Sequence, residues 1–140
     1  MAEPPAGFAP HFRQSPLTDP WEPLYSRRDG DALLIGVWVR DVHCNSRAVA
    51  HGGLIAALAD NAMGLACVLA SEGQGGPIGG IVTVNLSVDY LGAAKPGDWL
   101  EVAARPVRIG RSLAFAEAQV RAGDRAVARA TAVFSVPAKG

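Results

Sequence analysis

The chain has 140 residues, a length typical of one domain, and 49% of them are hydrophobic, which excludes a chain that is disordered throughout. Thirteen Lys and Arg residues balance thirteen Asp and Glu residues, and no polybasic run occurs, so the composition disfavours a nucleic acid or a membrane surface as partner. The two cysteines, Cys44 and Cys67, lack the spacing of a metal site or a disulfide framework, and we expect reduced thiols in a cytoplasmic protein.

The first part of the chain is rich in proline. Five prolines lie within residues 1–20, and proline removes backbone donors that regular structure needs. We expect an extended or partly disordered arm that could include one short helical turn. Residues 1–10 show neither the basic region nor the apolar core of a secretory signal. The predicted organisation is an arm over residues 1–22 and one domain over residues 23–140.

A strand-like pattern then runs from Leu24 to Val42. Arg28 to Asp31 reads as a turn between two short antiparallel strands, of which the second covers Ala32 to Arg40.

The next segment, Gly53 to Ala70, predicts a helix that is apolar on nearly every face and must be wrapped by other structure. The apolar stretch from Gly52 to Ala70 is long enough to span a membrane. However, Asp60 lies at its centre, where a charge costs about 2.5–3.5 kcal/mol on insertion scales, and no Lys or Arg cluster flanks it. A helix buried inside a protein fits better. Residues 71–80 hold five glycines and Pro77, and they predict a mobile loop.

Strands make up the rest of the chain. Ile81 to Leu91 alternates, which predicts one face with Val82, Val84, Leu86, Val88 and Tyr90 and another with Thr83, Asn85, Ser87 and Asp89. Three further strands are predicted at Trp99 to Ile109, Ser112 to Arg121 and Ala126 to Val136. The order predicts an α+β fold in which an antiparallel sheet is wrapped around one long central helix.

Asp60 is the only charged residue between His51 and Ala70. Because an unpaired carboxylate in an apolar interior is costly, such a residue often marks a functional group. The alternative is that Asp60 pairs with a basic or polar group for structural reasons alone.

The helix begins at His51-Gly52-Gly53 without a Ser, Thr, Asp or Asn to cap it, so its first N–H groups have no obvious partner. Free donors at the positive end of a helix dipole suit a carbonyl oxygen that gains charge, although a Gly-Gly pair can also be a simple hinge. Asp60 lies seven residues after Gly53, on the same helix face but about 10 Å away along the axis. One reacting carbon cannot touch both groups of one helix, so we predict a site shared across a two-fold dimer.

The run from Asn45 through His51-Gly52-Gly53 to Asp60, followed by the strand Val82 to Tyr90, resembles hotdog-fold acyl-CoA thioesterases of the phenylacetate-degradation type, over about residues 30–136. This resemblance implies hydrolysis of an acyl-CoA, in a homodimer that commonly pairs into a tetramer. It implies that Asp60 is the nucleophile or general base and that the Gly53 N–H is an oxyanion donor. Asn45 and His51 would hold the thioester or the attacking water, and Thr83 would orient Asp60 or the water.

Other chemistries lack their motifs. The sequence has no Gly-x-Ser-x-Gly elbow and no phosphate-binding loop, and His43-Cys44 with His51 is too sparse for zinc, so we expect neither metal nor cofactor. Arg105, Arg108 and Arg111 could meet the CoA phosphates or could be solvated strand residues. Two other functions stay open, a hotdog dehydratase or hydratase and a non-catalytic acyl-CoA binding module. The sequence does not define the acyl group.

Overall fold

The computed structural model describes residues 2–74 and 78–138. Its elements in chain order are β1 (Ala9–Pro10), a 3-10 helix (Asp19–Trp21), β2 (Tyr25–Asp29), β3 (Ala32–Trp38), a 3-10 helix (Asp41–His43), α1 (Gly52–Ser71), β4 (Val82–Tyr90), β5 (Trp99–Ile109), β6 (Leu113–Ala122) and β7 (Arg125–Ser135). The strands form one antiparallel sheet in the order β1-β2-β3-β5-β6-β7-β4. Strands β3 to β7 all contact α1. The predicted α+β architecture, with one sheet wrapped around one long helix, is confirmed.

The wrapping follows from small side chains on the inner face of the sheet. β6 alternates strictly between exposed and buried residues, and its buried positions are mostly alanines. The neighbouring strand β7 contributes Ala130, Ala132 and Phe134 to the same core. Because these side chains are short, the sheet can approach a helix that itself buries Leu58, Met63 and other apolar residues.

α1 is the one helix among the described residues that is long and apolar enough to cross a membrane. Eleven of its twenty residues are buried within the chain. It is therefore the core helix of the sheet, as the sequence indicated.

β4 lies at one edge of the sheet and departs from the predicted alternation. Thr83 pairs with Phe134 and Asn85 pairs with Val133, so a bulge occurs between them. The bulge inserts Val84 and turns Thr83 toward the helix, on the same side as the buried Phe134. The prediction that Thr83 shares a face with Asn85 is therefore wrong.

The N-terminal arm packs against the sheet. Trp38 Nε1 donates to the carbonyl of Glu3 at 3.1 Å, and the Phe8 ring meets the Trp99 ring edge-on with centroids 5.1 Å apart. β1 extends the sheet beyond β2, and Thr18 is 1% exposed. Of the two alternatives offered for this arm, the structure shows the extended one over residues 2–22, with a short helical turn at Asp19–Trp21. The boundary at residue 22 stays a prediction.

Two other segments differ in detail from the sequence-based expectation. β3 ends at Trp38, two residues before the predicted end at Arg40, and a short 3-10 helix follows at Asp41–His43. At the end of α1, Ser71 Oγ donates to the carbonyl of Val68 at 2.7 Å and accepts from the N–H of Ile78 at 2.8 Å. Residues 75–77 of the predicted loop lie outside the described residues.

Candidate active site

Asp60 and Thr83 form the first half of the site. The Thr83 hydroxyl donates to Asp60 Oδ1 at 2.6 Å, and the bulge in β4 is what directs Thr83 toward α1. Asp60 is half-buried in the single chain, and the ion pairs of the described residues do not include it. The expectation of a carboxylate enclosed in an apolar interior is therefore wrong for one chain. Thr83 leaves the second carboxylate oxygen without a described partner.

His51 and Gly53 form the second half, at the start of α1. His51 is the N-cap residue, and its Nδ1 accepts a hydrogen bond from the Gly53 N–H at 2.7 Å. The prediction of an uncapped helix is wrong, because the His51 side chain caps α1 in place of the usual Ser, Thr, Asp or Asn. Both residues are exposed. A substrate oxygen that binds the Gly53 N–H must share it with His51 or displace the imidazole.

Neighbouring atoms leave little room for a side chain at Gly52 or at Gly53. A Cβ on Gly52 would lie 3.2 Å from Tyr90 Cζ, and a Cβ on Gly53 would lie 3.0 Å from His51 Nδ1. The Tyr90 hydroxyl donates to the carbonyl of Gly52 at 2.5 Å, which fastens the end of β4 to the helix start. Burial raises the pKa of Tyr90. No sequence pattern singled out Tyr90, since an aromatic residue at a strand end is common.

Asn45 supports the loop that leads to the helix. Its carboxamide oxygen accepts from the N–H of Arg47 at 2.9 Å and of Val49 at 3.4 Å. Its own N–H donates to the carbonyl of Val49 at 2.9 Å. In the single chain the oxygen of Asn45 is therefore used to shape this loop, and no described hydrogen bond joins Asn45 to the other predicted site residues.

His43 is a second loop support that the sequence did not reveal as such. Its ring is 1% exposed. Nδ1 accepts from the N–H of Arg40 at 2.9 Å, and Nε2 lies 2.9 Å from the carbonyl of Trp21. Burial, as the largest cause, lowers the pKa of His43, so the neutral ring is favoured. The backbone carbonyl of His43 accepts a hydrogen bond from the His51 N–H at 2.9 Å. Because both ring nitrogens of His43 already have backbone partners, His43 is a poor candidate for a zinc ligand.

The two halves of the site do not meet within one chain. Gly53 and Asp60 are about 10 Å apart along α1, as the spacing predicted. Between and beyond them runs a stripe that the chain leaves partly exposed and that includes Gly53, Ala57, Asp60, Asn61 and Val68.

A cleft of about 270 Å³ opens beside Asp60 and Thr83. Its wall is largely apolar and includes Leu65, Val68, Ile78, Ile81 and Phe134. A larger cleft of about 610 Å³ lies elsewhere on the sheet and includes Arg105 but none of the predicted site residues. Chemistry, rather than size, assigns the smaller cleft to the site.

The three arginines proposed for CoA phosphates are not brought together. Arg105, Arg108 and Arg111 line three separate clefts. The structure therefore favours solvated strand and turn residues over one shared anion site.

Residues 48–129, more than half of the chain, match the family model described as the thioesterase superfamily. The chain belongs to the thioesterase superfamily. This thioesterase is 41% identical over 138 residues to a Pseudomonas aeruginosa protein whose name assigns it provisionally to the esterases, and the match covers 98% of this chain and 100% of that one. It is 30% identical over 86 residues to mouse acyl-coenzyme A thioesterase 13, across 61% of this chain and 58% of the mouse protein.

A solved structure of a mutant of the phenylacetic acid degradation protein PaaI from Thermus thermophilus superposes on this thioesterase with a TM-score of 0.72. The two are 25% identical, and the match covers 86% of this chain and 98% of that one. The resemblance to hotdog-fold thioesterases of that type is confirmed, and so is the assignment to thioester hydrolases.

In this thioesterase, Asp60 is half-exposed and lines the cleft together with Thr83. The Thr83 hydroxyl fixes one of its oxygens, and a carboxylate so held can attack a carbonyl or take a proton from water. A dehydratase that acts through histidine would need a histidine ring next to its acidic group. Among the described hydrogen bonds, none joins a histidine ring to Asp60.

Proposed function

We propose that this thioesterase hydrolyses an acyl-CoA to the free acid and CoA, with Asp60 as the nucleophile or general base. The observation that supports this most directly is the Thr83 hydroxyl on Asp60 Oδ1 at 2.6 Å, at the head of an apolar cleft. The name of the mouse relative supports CoA as the thiol.

Two routes are compatible with this geometry. In the first, a carboxylate oxygen of Asp60 attacks the thioester carbon, the C–S bond breaks and CoA leaves as a thiolate that takes a proton from water. Water then hydrolyses the resulting anhydride. In the second, Asp60 takes a proton from a water molecule whose oxygen attacks the thioester carbon directly. The C–S bond then breaks, and CoA leaves as a thiolate that takes the proton from Asp60. In both routes Thr83 holds the carboxylate in place, and no metal or cofactor is required.

The developing negative charge on the carbonyl oxygen needs a donor, and we assign this to the Gly53 N–H of a second copy of the chain. The first N–H groups of α1 and the positive end of its dipole favour a negative oxygen. In the single chain this N–H bonds to His51 Nδ1 at 2.7 Å. Since His51 is exposed, its imidazole can turn aside or remain as a neighbouring polar group, and Asn45 stays a candidate for holding the thioester or water.

A homodimer is therefore part of the proposal. The exposed stripe of α1 supports it, as does β4, an edge strand on which Val82 and Val84 are 62% and 61% exposed. Edge strands with open hydrogen-bonding groups are usually covered in native proteins. The family resemblance further suggests a dimer of dimers. The free Cys44 and Cys67 suit a reducing compartment such as the cytoplasm.

The test is thiol release from a panel of acyl-CoA thioesters by wild type and Asp60→Asn. The substitution preserves shape and removes the negative charge, so we expect an unchanged circular dichroism spectrum and a fall in kcat of about 10²–10⁴-fold. A wild type that binds CoA but turns over no thioester, or an Asp60→Asn variant with full activity, would contradict the proposal.

A further inference from the structure

The cleft beside Asp60 extends away from the reacting centre, and its far end bears on which acyl groups are accepted. α1 lines it from Asp60 to Val68, a distance of about 12 Å along the helix axis. An acyl chain whose thioester carbon lies at Asp60 would run along this apolar groove. The inference below rests on the proposed hydrolysis of acyl-CoA at this site.

The lining of the cleft includes one basic side chain. Among the described lining residues only Asp60 and Arg13 are charged, and Arg13 comes from the N-terminal arm. Neither the ion pairs nor the side-chain hydrogen bonds of the described residues use the Arg13 guanidinium. A cation that lines a largely apolar groove has favourable interactions to gain from an anionic ligand and little to gain from an apolar one.

The arm holds Arg13 between two anchored points. On one side, the His11 N–H donates to the carbonyl of Leu24 at 2.9 Å, and the His11 side chain is buried. On the other, the Thr18 N–H donates to the carbonyl of Ser15 at 3.1 Å, and Thr18 is fully enclosed. Arg13 therefore lies on a short, fixed segment, which lowers the entropy lost when a ligand binds it.

We propose that Arg13 recognises a carboxylate at the far end of the acyl group, so that the substrates this enzyme prefers are CoA thioesters of dicarboxylic acids. A guanidinium and a carboxylate form paired charge-assisted hydrogen bonds. Arg13 is exposed in the single chain, and an acyl group that fills the apolar cleft would exclude water from this pair and so strengthen the attraction. Asp60 repels a second carboxylate, so the free acid end of the acyl group is directed toward Arg13 and the thioester end toward Asp60.

The experiment compares acyl chains of equal length with and without the terminal carboxylate. Values of kcat/KM are measured for the pairs succinyl-CoA and butyryl-CoA, adipoyl-CoA and hexanoyl-CoA, and suberoyl-CoA and octanoyl-CoA. The proteins are wild type, Arg13→Gln, Arg13→Lys and the matched control Arg28→Gln, an exposed arginine that lines a different cleft.

We expect wild type to prefer the carboxylated member of at least one pair by about tenfold or more, as befits a hydrogen bond between charged groups. Arg13→Gln should abolish that preference by lowering kcat/KM for the carboxylated substrate alone. Arg13→Lys should keep part of the preference, and Arg28→Gln should keep all of it. The proposal is overturned if wild type shows no such preference in any pair. It is also overturned if Arg13→Gln slows both members equally, which would instead indicate that Arg13 contacts the CoA portion.

A binding measurement separates this proposal from the proposed function. Calorimetric titration of Asp60→Asn with the same pairs reports recognition without turnover. If no thioester is hydrolysed by wild type, the proposed hydrolysis fails, and the calorimetric preference for the carboxylated member, lost in Asp60→Asn/Arg13→Gln, still decides the role of Arg13.

Discussion

Asp60 and Thr83 show how a single backbone irregularity can place a candidate catalytic side chain. Asp60 stands out in the sequence because it is the only charge in an apolar helix. Its partner Thr83 does not stand out, because strict alternation along β4 would have turned the Thr83 side chain away from α1. The extra residue Val84 in β4 corrects the direction and brings the hydroxyl to 2.6 Å from Asp60. Family resemblance could pair the two residues, whereas periodicity could not.

Replacing Thr83 tests this arrangement. Thr83→Val keeps the branched shape but removes the donor, so we expect kcat to fall by about tenfold to a hundredfold with the fold retained. Thr83→Ser keeps the hydroxyl and should retain most of the activity. Steady-state kinetics with the best CoA thioester make the comparison, and equal activity in Thr83→Val and wild type would show that the hydrogen bond to Asp60 is not used.

The stability of the folded chain should depend on pH through His11, which lies in the N-terminal arm. Its ring is 5% exposed, and neither ring nitrogen has a described partner. Burial, and then the positive charge of Arg13, lower the pKa of His11. Because the unfolded chain binds this proton more tightly, stability is retained above the ordinary histidine pKa of about 6.5 and is lost as the pH falls below it.

We therefore expect the Tm of wild type to fall between about pH 7.5 and pH 5.5, and to fall less in His11→Leu. Part of the fall should remain in the variant, since the pKa of His43 is lowered as well. At the higher pH His11→Leu should be at least as stable as wild type, because it removes buried polar atoms that lack partners. Thermal unfolding over this pH range measures the effect, and parallel curves for the two proteins would contradict it.

At the scale of elements, local patterns located the helix and strands well. The helix was predicted from Gly53 to Ala70 and spans Gly52–Ser71, because an Ala/Leu run bounded by glycines leaves few alternatives. The packing of the arm was not predictable, since it depends on contacts distant in sequence. Gly36 in β3 illustrates this: a Cβ there would lie 2.1 Å from Trp99 Cζ2, so this glycine makes room for the aromatic ring on which Phe8 packs.

Gly64, near the middle of α1, links stability to substrate choice. A Cβ there would lie 3.4 Å from Phe134 Cε1 and 3.6 Å from Ile81 Cδ1, which are ordinary contacts. Both of these residues line the cleft, so the added methyl group would occupy part of it. We expect Gly64→Ala to raise the free energy of unfolding by up to about 1 kcal/mol, the difference in helix propensity.

The same variant should lose activity on long acyl groups while it keeps activity on acetyl-CoA. Denaturant unfolding and a chain-length series check the two effects. Gly73→Ala is the control, because a Cβ at Gly73 meets no atom of the described residues within 4 Å and Gly73 is not among the described residues that line the cleft. An unchanged chain-length profile in Gly64→Ala would show that acyl groups do not use this cleft.

At the scale of the whole molecule, the proposed dimer brings together two halves of the candidate site, which lie apart on α1 in the single chain. Sequence spacing alone predicts that Gly53 and Asp60 of one helix do not serve the same reacting carbon. The folded chain adds the exposed stripe of α1 and the exposed valines of the edge strand β4. The sequence could not show that the Gly53 N–H donates to the His51 ring within the single chain.

Mixing two inactive variants tests the shared site most directly. Asp60→Asn removes the acid, and Gly53→Pro removes the N–H donor in the first turn of α1, where no backbone carbonyl of the helix needs it, together with its hydrogen bond to His51. Each variant alone should be nearly inactive. After the two are unfolded together and refolded, half of the dimers should contain one intact site, made of Asp60 from one chain and Gly53 from the other. Thiol release should then recover to about a quarter of the wild-type rate, whereas a mixture no more active than its separate components would contradict a site built from two chains.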